Sequence, residues 1–257
     1  MTRLALEIAG VRVDLRGAEG PPALAARYGP FQREAGRADA TIELVGGPDA
    51  PPDAPPRVVE RAGRWTIQGR DDLGHLDVAA GAGVVALDRR VNALDAFVRA
   101  LVSRHVLARG GVLVHAAALR VGGAAHLVPG SSGAGKSTLA SLARDGIADE
   151  LAAVLPRPDG ALLVHGTPWW RGDPRPAPLA AVYALAWDIE RVEELPRRDA
   201  LRHVATHLAL PVDDPSARAA AFAAAGRIAA AAPFRRLSFR RDSDVDALLR
   251  RAGSAAA

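Results

Sequence analysis

The sequence predicts an α/β (α+β) protein with a β-rich region over residues 1–90 and a second domain over residues 91–257. Three observations lead there. Short runs of alternating apolar and polar residues, broken by glycine, fill the first region. From Asn92 the period turns helical. Residues 126–141, HLVPGSSGAGKSTLAS, then read as an apolar strand, a glycine-rich loop and the start of a helix.

Taken in order, LALEIAGVRVDLRG alternates around Gly10 as a hairpin does, and ATIELVG, RVVERAGRWTIQG and GHLDVAAGAGVVALD continue the style. Residues 46–57, GGPDAPPDAPPR, form a proline-rich loop, because proline cannot donate to a sheet ladder. Leu94, Phe97, Val98, Leu101, Val102 and Val106 fall at helical spacing, and ARGG ends that helix. VLVHAAALRV and AAHLVPG are strands, followed by the glycine loop and a helix from Lys136 to about Arg144. IADELAAVLP, GALLVHGTP, AAVYALAWD and FRRLSFR complete the strands. Helices are expected at 198–209, 215–232 and 244–252, the second capped by an aspartate before its proline. No internal repeat is present.

Composition excludes several classes of function. The chain has no cysteine, so disulfides, thiolate metal sites and cysteine nucleophiles are ruled out. The net charge of +4 stems from interspersed arginines and acids, with no like-charge block and no basic stripe studded with aromatics. A nucleic-acid partner is therefore not expected. The N-terminus alternates and carries acids, unlike a signal peptide, and no apolar run reaches the length of a membrane span. A soluble, cytoplasmic protein with no membrane partner is the expectation, and a homo-oligomer is left open.

Lys136 is the only lysine among 33 basic residues. It lies in Gly130-Ser131-Ser132-Gly133-Ala134-Gly135-Lys136-Ser137-Thr138, which satisfies the spacing G-x-x-x-x-G-K-[ST]. Glycines let backbone N–H groups approach a phosphate chain closely. The helix behind the loop points its unpaired donors at the same anion. An ammonium reaches the β- and γ-phosphates as a compact charge where a planar guanidinium does not fit, and the Ser137 hydroxyl can ligate Mg²⁺. ATP and Mg²⁺ are accordingly the expected ligands. A second lysine would be needed for the N-K-x-D motif of GTPases, and no L-S-G-G-Q signature of ABC-type ATPases is present.

HAAALRVGGAAHLVPGSSGAGKSTLASLARDGIADELAAV resembles the catalytic core of HPr kinase/phosphorylase, and more closely its HPr-kinase-related relatives, often found near peptide-modification genes. The shared features are His115 on the strand ahead of the loop, the loop from Gly130 to Thr138, the acidic pair Asp149 and Glu150, and Gly166-Thr167-Pro168-Trp169. The likeness spans about residues 92–245 and implies a P-loop kinase domain like that of phosphoenolpyruvate carboxykinase, a mixed sheet flanked by helices. Departures are specific. The segment from Lys136 to Asp149 is several residues shorter than in HPr kinase, so its helix must be clipped, and glutamate replaces the second aspartate. The downstream arginine-bearing signature is missing, so neither regulation through HPr nor the reverse phosphorylase reaction is implied.

These residues suggest an ATP- and Mg²⁺-dependent kinase acting on a hydroxyl of a protein or peptide. Ser137 and Asp149 would hold Mg²⁺, and Asp149 or His115 would orient and deprotonate the acceptor. Glu150 is either a second carboxylate or a surface residue, and His115 is either catalytic or a structural strand histidine. Arg171, after Trp169 and Trp170, is either a guanidinium for phosphate charge or a solvated surface residue. The β-rich region would dock the substrate or partner. His203 and His207 are spaced i, i+4 but lack a third metal ligand, and are expected at the surface. A nucleotide-binding regulatory or assembly protein with little transferase activity, or a small-molecule kinase, is the alternative.

Overall fold

The computed structural model of the chain describes residues 2–47, 56–68, 72–187, 189–210 and 215–254. Most of the proline-rich stretch at 46–57 and the aspartate ahead of Pro215 lie outside the described residues. Within them stand two mixed sheets and six helices, an α/β architecture. The chain divides into two compact units, Met1–His105 with Leu210–Ala217, and Val106–Ala209 with Arg218–Ala257.

In the first unit, β1 (Thr2–Ile8) and β2 (Val11–Gly17) form the hairpin about Gly10. Ala9 and Gly10 both take positive φ, 51° and 74°, the turn whose twist matches that of the strands. A short helix, α1 (Pro22–Tyr28), follows. It was not foreseen, because only Leu24 and Tyr28 are buried along it, too few to show a period. Then come β3 (Ala40–Gly46), β4 (Arg57–Arg61), β5 (Arg64–Gln68), β6 (Asp72–Asp77), β7 (Ala82–Leu87) and α2 (Asn92–Ala108). The sheet order is β1-β2-β3-β7-β6-β5-β4, with β3 parallel to both β2 and β7. The two units part inside α2 rather than at residue 90. The reason is packing: Phe97 meets Trp65 edge-on at 6.5 Å, and buried Asp95 accepts a hydrogen bond from Tyr28 Oη at 2.7 Å and pairs with Arg27. Stripping these partners would leave a buried charge uncompensated, so the first turns of α2 stay with the first sheet.

The second unit is built around β8 (Val112–Val121). β9 (Ala124–Pro129) runs antiparallel along one edge, and β10 (Gly146–Ala148) and β11 (Leu151–Pro156) run along the other. Leu119 shows this directly, pairing with His126 on one side and Gly146 on the other. IADELAAVLP is therefore two strands rather than one, with Asp149 and Glu150 at the break. β12 (Leu162–Gly166) pairs β11, and β13 (Ala177–Trp187) lies parallel to both β9 and β15 (Phe234–Phe239). β14 (Arg191–Glu194) closes the far edge, antiparallel to β15. Four residues are too few to register as a strand in sequence, and the ion pairs Glu193–Arg236 and Glu194–Arg235 hold it there.

The helices of this unit are α3 (Lys136–Leu142), α4 (Arg197–Ala205), α5 (Pro215–Ala231) and α6 (Val245–Ser254), the first residues of α5 belonging to the first unit. α3 has only two turns, the clipped length expected; it ends where Ala143 becomes extended and Asp246 accepts the Arg144 N–H at 3.0 Å. α4 ends earlier than predicted because His207–Ala209 pairs instead with β8: His115 N donates to His207 O at 2.7 Å and Ala209 N to Leu113 O at 2.9 Å. Leu139 of α3 and Val245, Leu248 and Leu249 of α6 pack on Leu119, Val128, Tyr183, Leu237 and Phe239. At about 1.5–3 kcal/mol for each large apolar side chain buried, this cluster anchors α3 behind the loop. No helix among the described residues is long and apolar enough to cross a membrane.

Candidate functional site

The glycine-rich loop joins the buried end of β9 to α3, and its two positive-φ residues are both glycine. Gly133 has φ 81° and Gly135 φ 101°, conformations that cost an L-residue energy and that glycine adopts freely. Gly135 has a second reason to lack a side chain: a Cβ there would come within 2.8 Å of the Trp187 ring. Lys136 is 6% exposed, and its Nζ donates to Gly130 O at 2.8 Å and Ser131 O at 2.9 Å. This convergence on one nitrogen suits a compact ammonium better than a planar fork. Burial lowers the Lys136 pKa, while the charges of Asp149 and Glu150 oppose the shift.

Backbone hydrogen bonds bring three segments of the candidate site to one level. Gly130 N donates to His115 O at 3.2 Å, and Ala116 N donates to Glu150 O at 3.0 Å. His115 also stands opposite Leu151 in the β8–β11 ladder. The glycine loop, the histidine and the acidic pair thus meet across one strand. Asp149 is 4% exposed, and its Oδ1 accepts no hydrogen bond. A buried carboxylate oxygen without a donor is costly, which marks a place prepared for a cation or a proton.

The Gly166-Thr167-Pro168-Trp169 element supports this pair from behind. Thr167 is fully buried, and its hydroxyl donates to Leu151 O at 2.6 Å. Asp173 N donates to Ile147 O at 2.9 Å, and any side chain at Gly166 would collide with both the Ile147 and the Asp173 carbonyls. The element clamps β10 and β11 on either side of Asp149. Arg120 closes the clamp with hydrogen bonds to both Asp145 oxygens, at 2.7 and 2.9 Å, and to Asp173 at 3.3 Å. Burial would raise the Asp173 pKa, but hydrogen bonds from Arg175 and Arg120 outweigh it and push it down to about 2.

A cavity of about 560 Å³ opens on these groups. His115, Lys136, Ser137, Asp149 and Glu150 line it, with Ser132, Gly133, Gly135 and Thr138 of the loop. Gly130, Ser131 and Ala134 shape the back of the loop, Ala134 N donating to Ser131 O at 3.2 Å. Glu150 is half-buried and lines the same cavity. The tryptophan pair divides: Trp169 is 2% exposed and packs in the core, whereas Trp170 is 65% exposed and lines the cavity. Trp170 also holds φ at 70°, a conformation that costs a bulky residue roughly 1–2 kcal/mol. Arg171 is exposed and does not reach the lining; the guanidinium that does is Arg241.

His203 and His207 are not surface residues. His203 Nε2 donates to Pro129 O at 3.2 Å and its ring lies 5.2 Å from that of Phe234. His207 Nδ1 donates to His203 O at 2.7 Å, and its Nε2 is 3.5 Å from the Ser131 hydroxyl. The pair braces the loop from below, and burial, followed by the charge of His207, lowers the His203 pKa. Sequence reasoning also missed Trp187 and Arg241. The available signal was position: Trp187 ends β13, which borders β9, and Arg241 lies just past the end of β15, which borders β13, at strand ends where an open α/β sheet displays functional groups.

Among the described residues, no group of three or more histidines and carboxylates could hold a metal alone. Mg²⁺ that arrives with a nucleotide needs only one or two carboxylates, because phosphate and water complete its shell. Asp149, with its unpartnered Oδ1, lines the same cavity as Ser137 and fits that requirement. No protein-family model matches the chain, and no curated protein is significantly similar to it.

Proposed function

We propose that the protein is an ATP- and Mg²⁺-dependent phosphotransferase that moves the γ-phosphate to a hydroxyl of a protein or peptide, in the manner of the HPr-kinase-related proteins it resembles. The observation that carries this reading is Asp149, a buried carboxylate that lines the same cavity as Lys136 and Ser137 and whose Oδ1 has no hydrogen-bond donor among the described residues. A purely structural carboxylate at 4% exposure would be hydrogen-bonded.

In this mechanism Lys136 and backbone N–H groups of the loop bind the phosphate chain. Ser137 and Asp149 would hold Mg²⁺, which offsets phosphate charge when bound. Asp149 or His115, on the cavity wall, orients the acceptor hydroxyl and takes its proton as the hydroxyl oxygen bonds to the γ-phosphorus and the bond from that phosphorus to the β–γ bridging oxygen breaks, releasing ADP. Glu150 adds negative potential that keeps Lys136 protonated, consistent with the direction of its effect there. Positioning and charge neutralisation carry most of such a transfer, with little covalent chemistry left to the protein. The clamp from Thr167 and Arg120 matters for that reason, since it holds Asp149 in place.

The test has two parts. Isothermal titration of Mg-ATP should show tight binding to the parent and a large loss in Lys136→Ala, with Lys136→Arg failing as well. Incubation with γ-labelled ATP and a panel of hydroxyl-bearing peptides and small molecules then asks for label transfer. If Lys136→Ala binds Mg-ATP as tightly as the parent, the loop assignment is wrong. Binding without transfer to any acceptor would favour a regulatory nucleotide-binding protein.

A further inference from the structure

We infer that Trp187 is the platform on which the purine base of the bound nucleotide stacks, an inference that rests on the nucleotide reading above. The strand order separates two sides of the loop. β9 leads into the loop, β8 flanks β9 on one edge, and β13 flanks it on the other. His115, Asp149 and Glu150 belong to the β8 side. Trp187, at the end of β13, belongs to the opposite side, and its ring lies against Gly135, the residue before Lys136. A nucleotide whose terminal phosphate is directed to Asp149 therefore extends its base toward Trp187.

The indole is built as a fixed surface. Trp187 stands directly opposite Phe239 in the parallel β13–β15 pair, with ring centroids 4.5 Å apart and planes inclined at 35°. Phe239 is fully buried, so it backs the indole from the core. Trp187 nevertheless remains 49% exposed and lines the cavity. A rigid ring held half in water beside a phosphate loop is what a planar base requires, because stacking gains most when the partner is already ordered. Trp170 lines the same cavity, but no aromatic ring of the described residues stacks on it. Stacking alone does not distinguish one purine from another, so ATP and GTP should bind alike and CTP more weakly.

The experiment titrates Mg-ATP and magnesium tripolyphosphate into the parent, Trp187→Ala and Trp187→Phe. Tripolyphosphate reports on the loop without a base. Trp187→Ala should weaken Mg-ATP about tenfold or more while leaving tripolyphosphate within about twofold, and Trp187→Phe, which keeps a ring, should restore most of the loss. Equal weakening of both ligands in Trp187→Ala would mean that the indole only props Gly135, and overturns the inference. So would unchanged affinity for Mg-ATP. A parent that binds tripolyphosphate and ATP equally well also refutes base stacking while leaving the phosphate loop intact. A parent that binds neither overturns the nucleotide reading and this inference together.

Discussion

Replacing Asp149 by asparagine should make the nucleotide-free protein more stable and the proposed phosphoryl transfer far slower. The side chain is 4% exposed, and Oδ1 receives no hydrogen bond. A buried polar group left unsatisfied costs about 1–3 kcal/mol, more when charged. Lys136, on the same cavity, offsets part of that cost, as its response to the Asp149 charge indicates. The net gain on removing the charge is then about 1 kcal/mol, or a rise of about 2–4 °C in Tm for a chain of this size. The same change removes the metal anchor or base, so transfer should fall by at least about a hundredfold. Glu150→Gln, at a half-buried position, should change both quantities less. Urea denaturation without nucleotide gives the first quantity, and γ-phosphate transfer gives the second. The saturating-ligand control is informative too: Mg-ATP should stabilise the parent more than the asparagine variant, by mass action. An Asp149→Asn protein that is less stable than the parent and equally active would refute the reasoning and make Asp149 a structural residue.

Three further outcomes follow from the geometry. His126 is 5% exposed, and burial, then the charge of Arg235, lowers its pKa from 6.5 to about 4. The unfolded chain binds that proton first, so stability is full above pH 6.5 and falls as pH drops toward 4 by about 3 kcal/mol in all, measurable as a pH-dependent urea midpoint that flattens in His126→Gln. Arg241→Ala should reduce transfer about tenfold or more with a smaller effect on binding, whereas Arg171→Ala, away from the cavity lining, should change steady-state rates little; the reverse ranking would restore Arg171 to the site. Thr167→Val leaves the Leu151 carbonyl without its buried donor and should cost about 1–3 kcal/mol, with transfer slowed more than Mg-ATP binding because Asp149 loses its support; a variant as active and stable as the parent would show that the clamp is idle.

What the sequence determined by itself is local in origin. The hairpin at Gly10, the helix from Asn92 and the strand–loop–helix around Lys136 each depend on residues adjacent in the chain: two positive-φ positions, an apolar period, glycines at set intervals. Lys136, Ser137, Asp149 and Glu150, singled out within one short span of the sequence, line one cavity. Tertiary structure decided everything that depends on two distant strands becoming neighbours. Asp149 owes its buried, unpartnered oxygen to β8 and to Thr167, neither of which its own sequence neighbourhood reveals. The two adjacent tryptophans at 169 and 170 look equivalent in sequence, yet one turn of backbone with positive φ sends them to the core and to the cavity. His203 and His207 read as a surface pair until the end of α4 gives up its helix to join β8, which carries them beneath the loop. Trp187 and Arg241 lie 51 and 105 residues beyond Lys136 in the chain and reach its cavity only because β13 is laid parallel beside β9 and β15 parallel beside β13. Spacing along a chain records constraints on neighbouring residues, and a parallel sheet joins residues whose separation carries no such constraint.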